Sequence, residues 1–137
     1  MSDTPESKVY GYEIDGNFFY HVASRVLIKI GNDSEPTNVK VVFRTTMANL
    51  FLYLMTHSGA SPVKDAEILE NVWELNGLKS SYQRLWKVMR NLTDKLHTAG
   101  IESPLFYRVN SNAYLVRRQN ISVIYQRVDK DESGTFN

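Results

Sequence analysis

Between Ser80 and Gly100 apolar residues recur at helical spacing, and no other stretch limits the fold as strongly. Tyr82, Leu85, Met89, Leu92 and Leu96 fall three or four apart and so line one face of an α-helix. Ser80 and Gln83 have the spacing of a capping box, in which a hydroxyl and an amide side chain satisfy each other's backbone N–H groups. Gly100 offers the left-handed stop. The pattern therefore predicts a helix over 80–99. Its other side carries Arg84, Lys87, Arg90, Asn91 and Lys95, donors that can reach phosphates or base edges.

Charge is distributed unevenly along the chain. The net charge is +1, yet residues 79–118 sum to +6 while residues 59–78 sum to −3. The positive charge lies on the helix and on the segment just after it. By charge alone this is either a nucleic-acid footprint on one face or a solvated basic helix. With 137 residues, 42% of them hydrophobic, the chain has enough apolar side chain for one core. It contains no cysteine, so disulfides, thiolate metal sites and cysteine nucleophiles are excluded, which suits a reducing cytoplasm. No apolar run approaches the ~18 residues of a membrane span, and residues 1–7 lack the basic and apolar regions of a signal peptide. A soluble, cytoplasmic protein is expected.

Upstream of the helix the pattern is strand-like. Runs at Val9–Ile14, Phe18–Val22, Val26–Ile30 and Val39–Phe43 are separated by Asp15-Gly16-Asn17, a hairpin signal, and by a longer turn from Gly31 to Pro36. They predict an antiparallel sheet of three or four strands, whose apolar face needs helices to cover it. Thr45 or Thr46 can cap a core helix bearing Met47, Leu50, Phe51, Leu54 and Met55, closed by Ser58-Gly59. Ser61-Pro62-Val63 reads as an extended link. Asp65 can then cap a second helix whose Ile68, Leu69, Val72 and Trp73 face inward and whose Glu67, Glu70 and Glu74 face out. Leu75 to Lys79 is the loop before the basic helix. Downstream, Leu105–Val109 and Tyr114–Arg118 flank Asn110-Ser111-Asn112-Ala113, a hairpin carrying Arg108, Arg117 and Arg118. The predicted class is α+β, a winged helix-turn-helix with three helices and a C-terminal hairpin wing. Its boundaries are a disordered N-terminus over 1–8, the domain over 9–118, and a tail or linker over 119–137. In that tail Ile121 to Tyr125 alternates like a strand, which can join the sheet as an edge, pair between protomers or lead onward.

Four landmarks in order resemble the winged-helix domain of OmpR/PhoB-type regulators, over about Ile14 to Val116. Asn49 to Leu54 with Ser58-Gly59 is similar to that family's first helix and its end; Ile68-Leu69 with Val72-Trp73 is similar to its leucine and VW pair. Arg90 to Leu96 resembles the end of its recognition helix, and Tyr107-Arg108-Val109 with Tyr114-Leu115-Val116 its wing. Thr93-Asp94 stands where the family has basic residues, and Asn112-Ala113 replaces the wing glycines. With no receiver segment ahead of the domain, the resemblance points to the ToxR-like branch of bacterial regulators, in which a transmembrane helix follows.

The resemblance implies a DNA-binding transcriptional regulator, with helix 80–99 in the major groove and wing 105–118 on the backbone or minor groove. Double-stranded DNA is the expected partner, with a homodimer on DNA as a further expectation. Gln83, Arg84, Lys87, Arg90 and Asn91 are the candidate contacts on the helix, Arg84 and Lys87 foremost, because the first two turns enter the groove. Arg108, Asn110, Ser111 and Asn112 are the candidates on the wing. Trp86 lies off the apolar stripe and is expected in the core. In the resemblance Glu70, Glu74 and Asn76 occupy the loop that touches RNA polymerase; the plain alternative is a surface loop. No cofactor or metal is expected: His21, His57 and His97 fall on separate elements, and phosphate loops, nucleophile elbows and close carboxylate pairs are lacking. Catalysis is not expected. The competing function is a winged-helix module that binds a protein rather than DNA.

Overall fold

The computed structural model describes residues 6–30, 40–57 and 61–128. The turn from Gly31 to Pro36, the Ser58-Gly59 helix end and residues 129–137 lie outside the described residues. In chain order the elements are β1 (Glu6–Ile14), β2 (Phe18–His21), β3 (Val26–Lys29), β4 (Lys40–Val42), α1 (Thr45–His57), β5 (Val63–Lys64) and α2 (Asp65–Ile68). They continue with α3 (Tyr82–Ala99), β6 (Phe106–Val109), β7 (Ala113–Val116) and β8 (Ile121–Val128). After α2 the helical path runs on through a π turn (Leu69–Trp73) and a 3₁₀ turn (Glu74–Asn76).

Two antiparallel sheets frame the helices. The larger has the order β4-β3-β2-β1-β8, and the smaller β5-β7-β6. The first four strands follow from the sequence pattern, and Asp15 and Gly16 both take positive φ in the three-residue β1–β2 turn, which Asn17 completes by donating its amide to the Ile14 carbonyl. The fifth strand alters the expected boundaries. Residues 121–128 pair along the whole of β1, from Ile14 opposite Ile121 to Glu6 opposite Val128. Residues 121–128 of the expected tail are therefore a strand of the large sheet, and the chain from Glu6 onward is a strand paired with them. The extended link before α2 is likewise a strand, Val63 pairing with Tyr114 of the wing.

The core lies between the large sheet and α1. Tyr12, Ile14, Phe18, Tyr20 and Leu27 from the sheet meet Met47, Leu50, Phe51 and Leu54 from α1, all buried. Phe51 is the hub: its ring lies 4.7 Å from Tyr20, 5.5 Å from Phe43, 6.1 Å from Phe106 and 6.4 Å from Tyr12. Edge-on packing of this kind adds about 0.5–1.5 kcal/mol per pair beyond area burial. On the other side α3 inserts Leu85, Met89, Leu92 and Leu96. Tyr82, expected on the same stripe, is 47% exposed because the first turn of α3 projects past the core.

One backbone position in the large sheet admits no side chain. A Cβ on Gly11 would sit 2.5 Å from Phe19 Cζ and press on the Tyr20 carbonyl oxygen of the neighbouring strand. The register between β1 and β8 shifts by one residue at this point, between Val9 and Gly11. Gly11→Ala should therefore lower stability by about 1–3 kcal/mol through overpacking, read as a lower Tm with cooperativity retained; an unchanged Tm would show that β1 can move aside.

Candidate nucleic-acid interface

The helical path from Asp65 to Asn76, the turn at Gly77 and α3 make the helix-turn-helix. Gly77 is left-handed (φ 73°) and its amide donates to the Glu74 carbonyl. The cap of α3 is one residue later than expected. Ser81, not Ser80, accepts from the Arg84 amide (3.1 Å), while the Ser80 hydroxyl donates to Glu74 Oε2 (2.6 Å). No Gln83 capping box forms, so Gln83 is left exposed on the first turn.

The buried stripe orients the rest of α3. Gln83, Lys87, Arg90 and Asp94 succeed one another at spacings of four, three and four, and all are exposed on the side opposite Leu85, Met89 and Leu92. Arg84, Asn91 and Lys95 form a flanking stripe that leans toward the large sheet, where Lys95 Nζ donates to the Val42 carbonyl (3.3 Å). The opposite flank carries Tyr82 and Trp86, with ring centroids 6.0 Å apart. Trp86 is not in the core: it is 45% exposed, and its indole N–H donates to Asp65 Oδ2 (3.3 Å). An indole needs a partner for its N–H, and here the partner lies at the start of α2 rather than under the sheet.

Asp65 does not cap α2. Its carboxylate, 3% exposed, takes both amino groups of Arg108 at 2.6 and 2.7 Å. Arg108 also donates to the Ser111 carbonyl (2.8 Å), and its guanidinium stands 4.3 Å over the Tyr114 ring. Hydrogen bonding to Asp65 pushes the Arg108 pKa further up. Arg108, a candidate DNA contact, is held at the base of the wing by these bonds while its side chain stays 33% exposed. Arg117 is also turned inward. It is 7% exposed, bridges to Asp15 at 2.6 and 3.1 Å, and donates to the carbonyls of Ser103, Pro104 and Gln119. Arg118 remains exposed.

The wing turn is built from Asn110 and Ser111, both at positive φ (51° and 61°), with the Asn112 amide donating to Val109. Asparagine tolerates this conformation, so the turn closes without glycine. Asn110, Ser111 and Asn112 are exposed at its tip. A cleft of about 370 Å³ separates the tip from the start of α3, walled by Lys64, Tyr82, Trp86, Ser111 and Asn112. Tyr82 and Trp86, both expected in the core from the sequence pattern, line this cleft instead, and their spacing of four places them together on one flank of α3. The expected polymerase-contact loop is helical up to Asn76, whose side chain donates to the Val72 carbonyl, while Glu70 and Glu74 are exposed.

Three helices placed between an antiparallel sheet and a β-hairpin wing define a winged helix-turn-helix fold. Among solved structures the chain is similar to the DNA-binding domain of E. coli CadC, with a TM-score of 0.62 at 14% identity, covering 90% of this chain and 100% of that one. No family model and no curated protein matches the sequence.

The Asp65–Arg108 pair should behave as one unit. Arg108→Ala leaves a buried carboxylate without its cation, and we expect about 2–3 kcal/mol of lost stability, discounted for the partial exposure of the arginine. Adding Asp65→Ala should recover part of that loss. A double-mutant cycle by urea denaturation measures the coupling; additive losses would show that the two residues act independently.

Proposed function

We propose that this chain is a DNA-binding transcriptional regulator that lays α3 in the major groove and sets its wing on the adjoining backbone. The observation that carries the reading is the outward stripe Gln83–Lys87–Arg90, which lies beside a wing locked to α2 through Asp65. In this reading Gln83, Lys87 and Arg90 face base edges, while Arg84 and Asn91, on the sheet-side flank, reach phosphates. Asn110 and Asn112 meet the backbone from the wing tip. Arg108 acts by holding the wing in place. Asp94 closes the stripe with a negative charge, so contacts concentrate in the first half of α3. The likeness in fold to a DNA-binding domain supports the same reading, as do the sequence landmarks of the OmpR/PhoB type. Exposed Glu70, on the far side of the helix-turn-helix, is then available to a protein such as RNA polymerase.

Asp94 on the outward stripe also favours a second reading, a module that receives a basic protein surface there. Salt dependence separates the two. Binding to a random-sequence duplex should weaken steeply as salt rises, Lys87→Ala should cost about 1–3 kcal/mol, and Arg84→Ala should lower the salt slope by about one. Trp86 supplies a direct signal, because the chain's other tryptophan, Trp73, is buried. Duplex should quench the emission of the wild type, and Trp86→Phe should abolish the change. Salt-independent binding, or a Lys87→Ala variant with undiminished affinity, would reject DNA as the ligand of this face.

A further inference from the structure

The two edges of the large sheet are built differently. β4 ends one side with three residues, one of them Lys40, which is how natural sheets guard an open edge. β8 ends the other side with eight residues, no proline or glycine, and one charge, Arg127. Among the described residues its hydrogen bonding to other strands is to β1 alone. It also exposes apolar side chains on both faces. Val123 (42% exposed) and Tyr125 (61%) stand on the face they share with Tyr12 and Val9, and Ile124 (37%) stands on the other. A long edge with bare faces is a template for another strand.

We propose that β8 pairs antiparallel with β8 of a second copy of this chain, across a twofold axis at Ile124, to make a continuous ten-stranded sheet. The strand's own sequence argues for this occupant. With Ile124 opposite its symmetry mate, Val123 falls opposite Tyr125, Ser122 opposite Gln126, and Ile121 opposite Arg127. Apolar residues then meet across the axis on both faces, the two small polar residues meet each other, and no like charges are opposed. An axis one residue on, at Tyr125, would set Ile124 against Gln126 and Val123 against Arg127. A twofold contact needs only one self-complementary surface, which this strand provides. The pairing is independent of any ligand on α3.

The absence of cysteine makes the register directly testable. In the full chain under mild oxidation, Ile124→Cys should cross-link to its own mate. Val123→Cys and Tyr125→Cys should each remain largely uncross-linked alone and cross-link when mixed. Sedimentation should give a concentration-dependent dimer for the wild type and a monomer for Ile124→Lys, which sets two cations on the axis. A melting temperature close to the wild type would confirm that Ile124→Lys remains folded, as expected for an exposed position. A wild-type monomer at sub-millimolar concentration overturns the proposal and leaves the edge to a strand from a different protein. So does a folded Ile124→Lys variant that dimerises as well as the wild type, or cross-linking in a different register.

Discussion

A carboxylate buried at the start of α2 governs how α3 and the wing are held together. Arg108 meets the Asp65 carboxylate there with two short hydrogen bonds, and the Trp86 indole N–H adds a third. Removing Arg108 alone would leave the buried Asp65 carboxylate without its cation, a cost of about 2–3 kcal/mol. The geometry matters as much as the energy. Asp65 belongs to the helix-turn-helix, Arg108 to the wing and Trp86 to α3, so one side chain sets the relative position of all three. Under the proposed function this arrangement means that less order has to be imposed on binding a duplex.

The same inward use of charge changes the reading of the basic segment. Of the residues that made 79–118 so positive, Arg108 and Arg117 are neutralised by Asp65 and Asp15. Only Arg117 of these two is buried; the exposed charge outside the two pairs is narrower: Lys79, Arg84, Lys87, Arg90 and Arg118, with Lys95 half-covered. Counting charge along a sequence cannot separate these groups, because the acidic partners lie 43 and 102 residues away. The surviving charge is concentrated on the first half of α3, where Asp94 does not oppose it.

What the sequence made legible was local. The apolar periods of α1 and α3, the Asp15-Gly16 hairpin and the asparagine-rich wing turn each depend on neighbours within a few positions, and the helices, the four N-terminal strands and the winged-helix class derive from them. The discrepancies are tertiary. Ser80 and Ser81 are indistinguishable as caps until Glu74 takes the Ser80 hydroxyl. Tyr82 keeps helical spacing yet projects beyond the core, and Trp86 is drawn to a carboxylate on another helix. The strand of the wing's third partner, Val63-Lys64, is too short to announce itself. Residues 121–128 alternate like a strand, but nothing local says that their partner is the first strand of the chain.

That partnership between first and last strands bears on how the chain is made. During synthesis β1 emerges at the start, and its β8 side stays open until more than 100 further residues have been added. Until then β1 is itself an edge, carrying Val9, Tyr12 and Ile14. Contacts so distant in sequence form late and slowly, and the Arg117–Asp15 bridge, which spans 102 residues, has the same property. A ribosome that stalls or a chain cut before Ile121 would release a molecule whose α3 and wing are complete but whose sheet is unfinished. Such a product would keep the α3 and wing surfaces and lose the strand that seals β1.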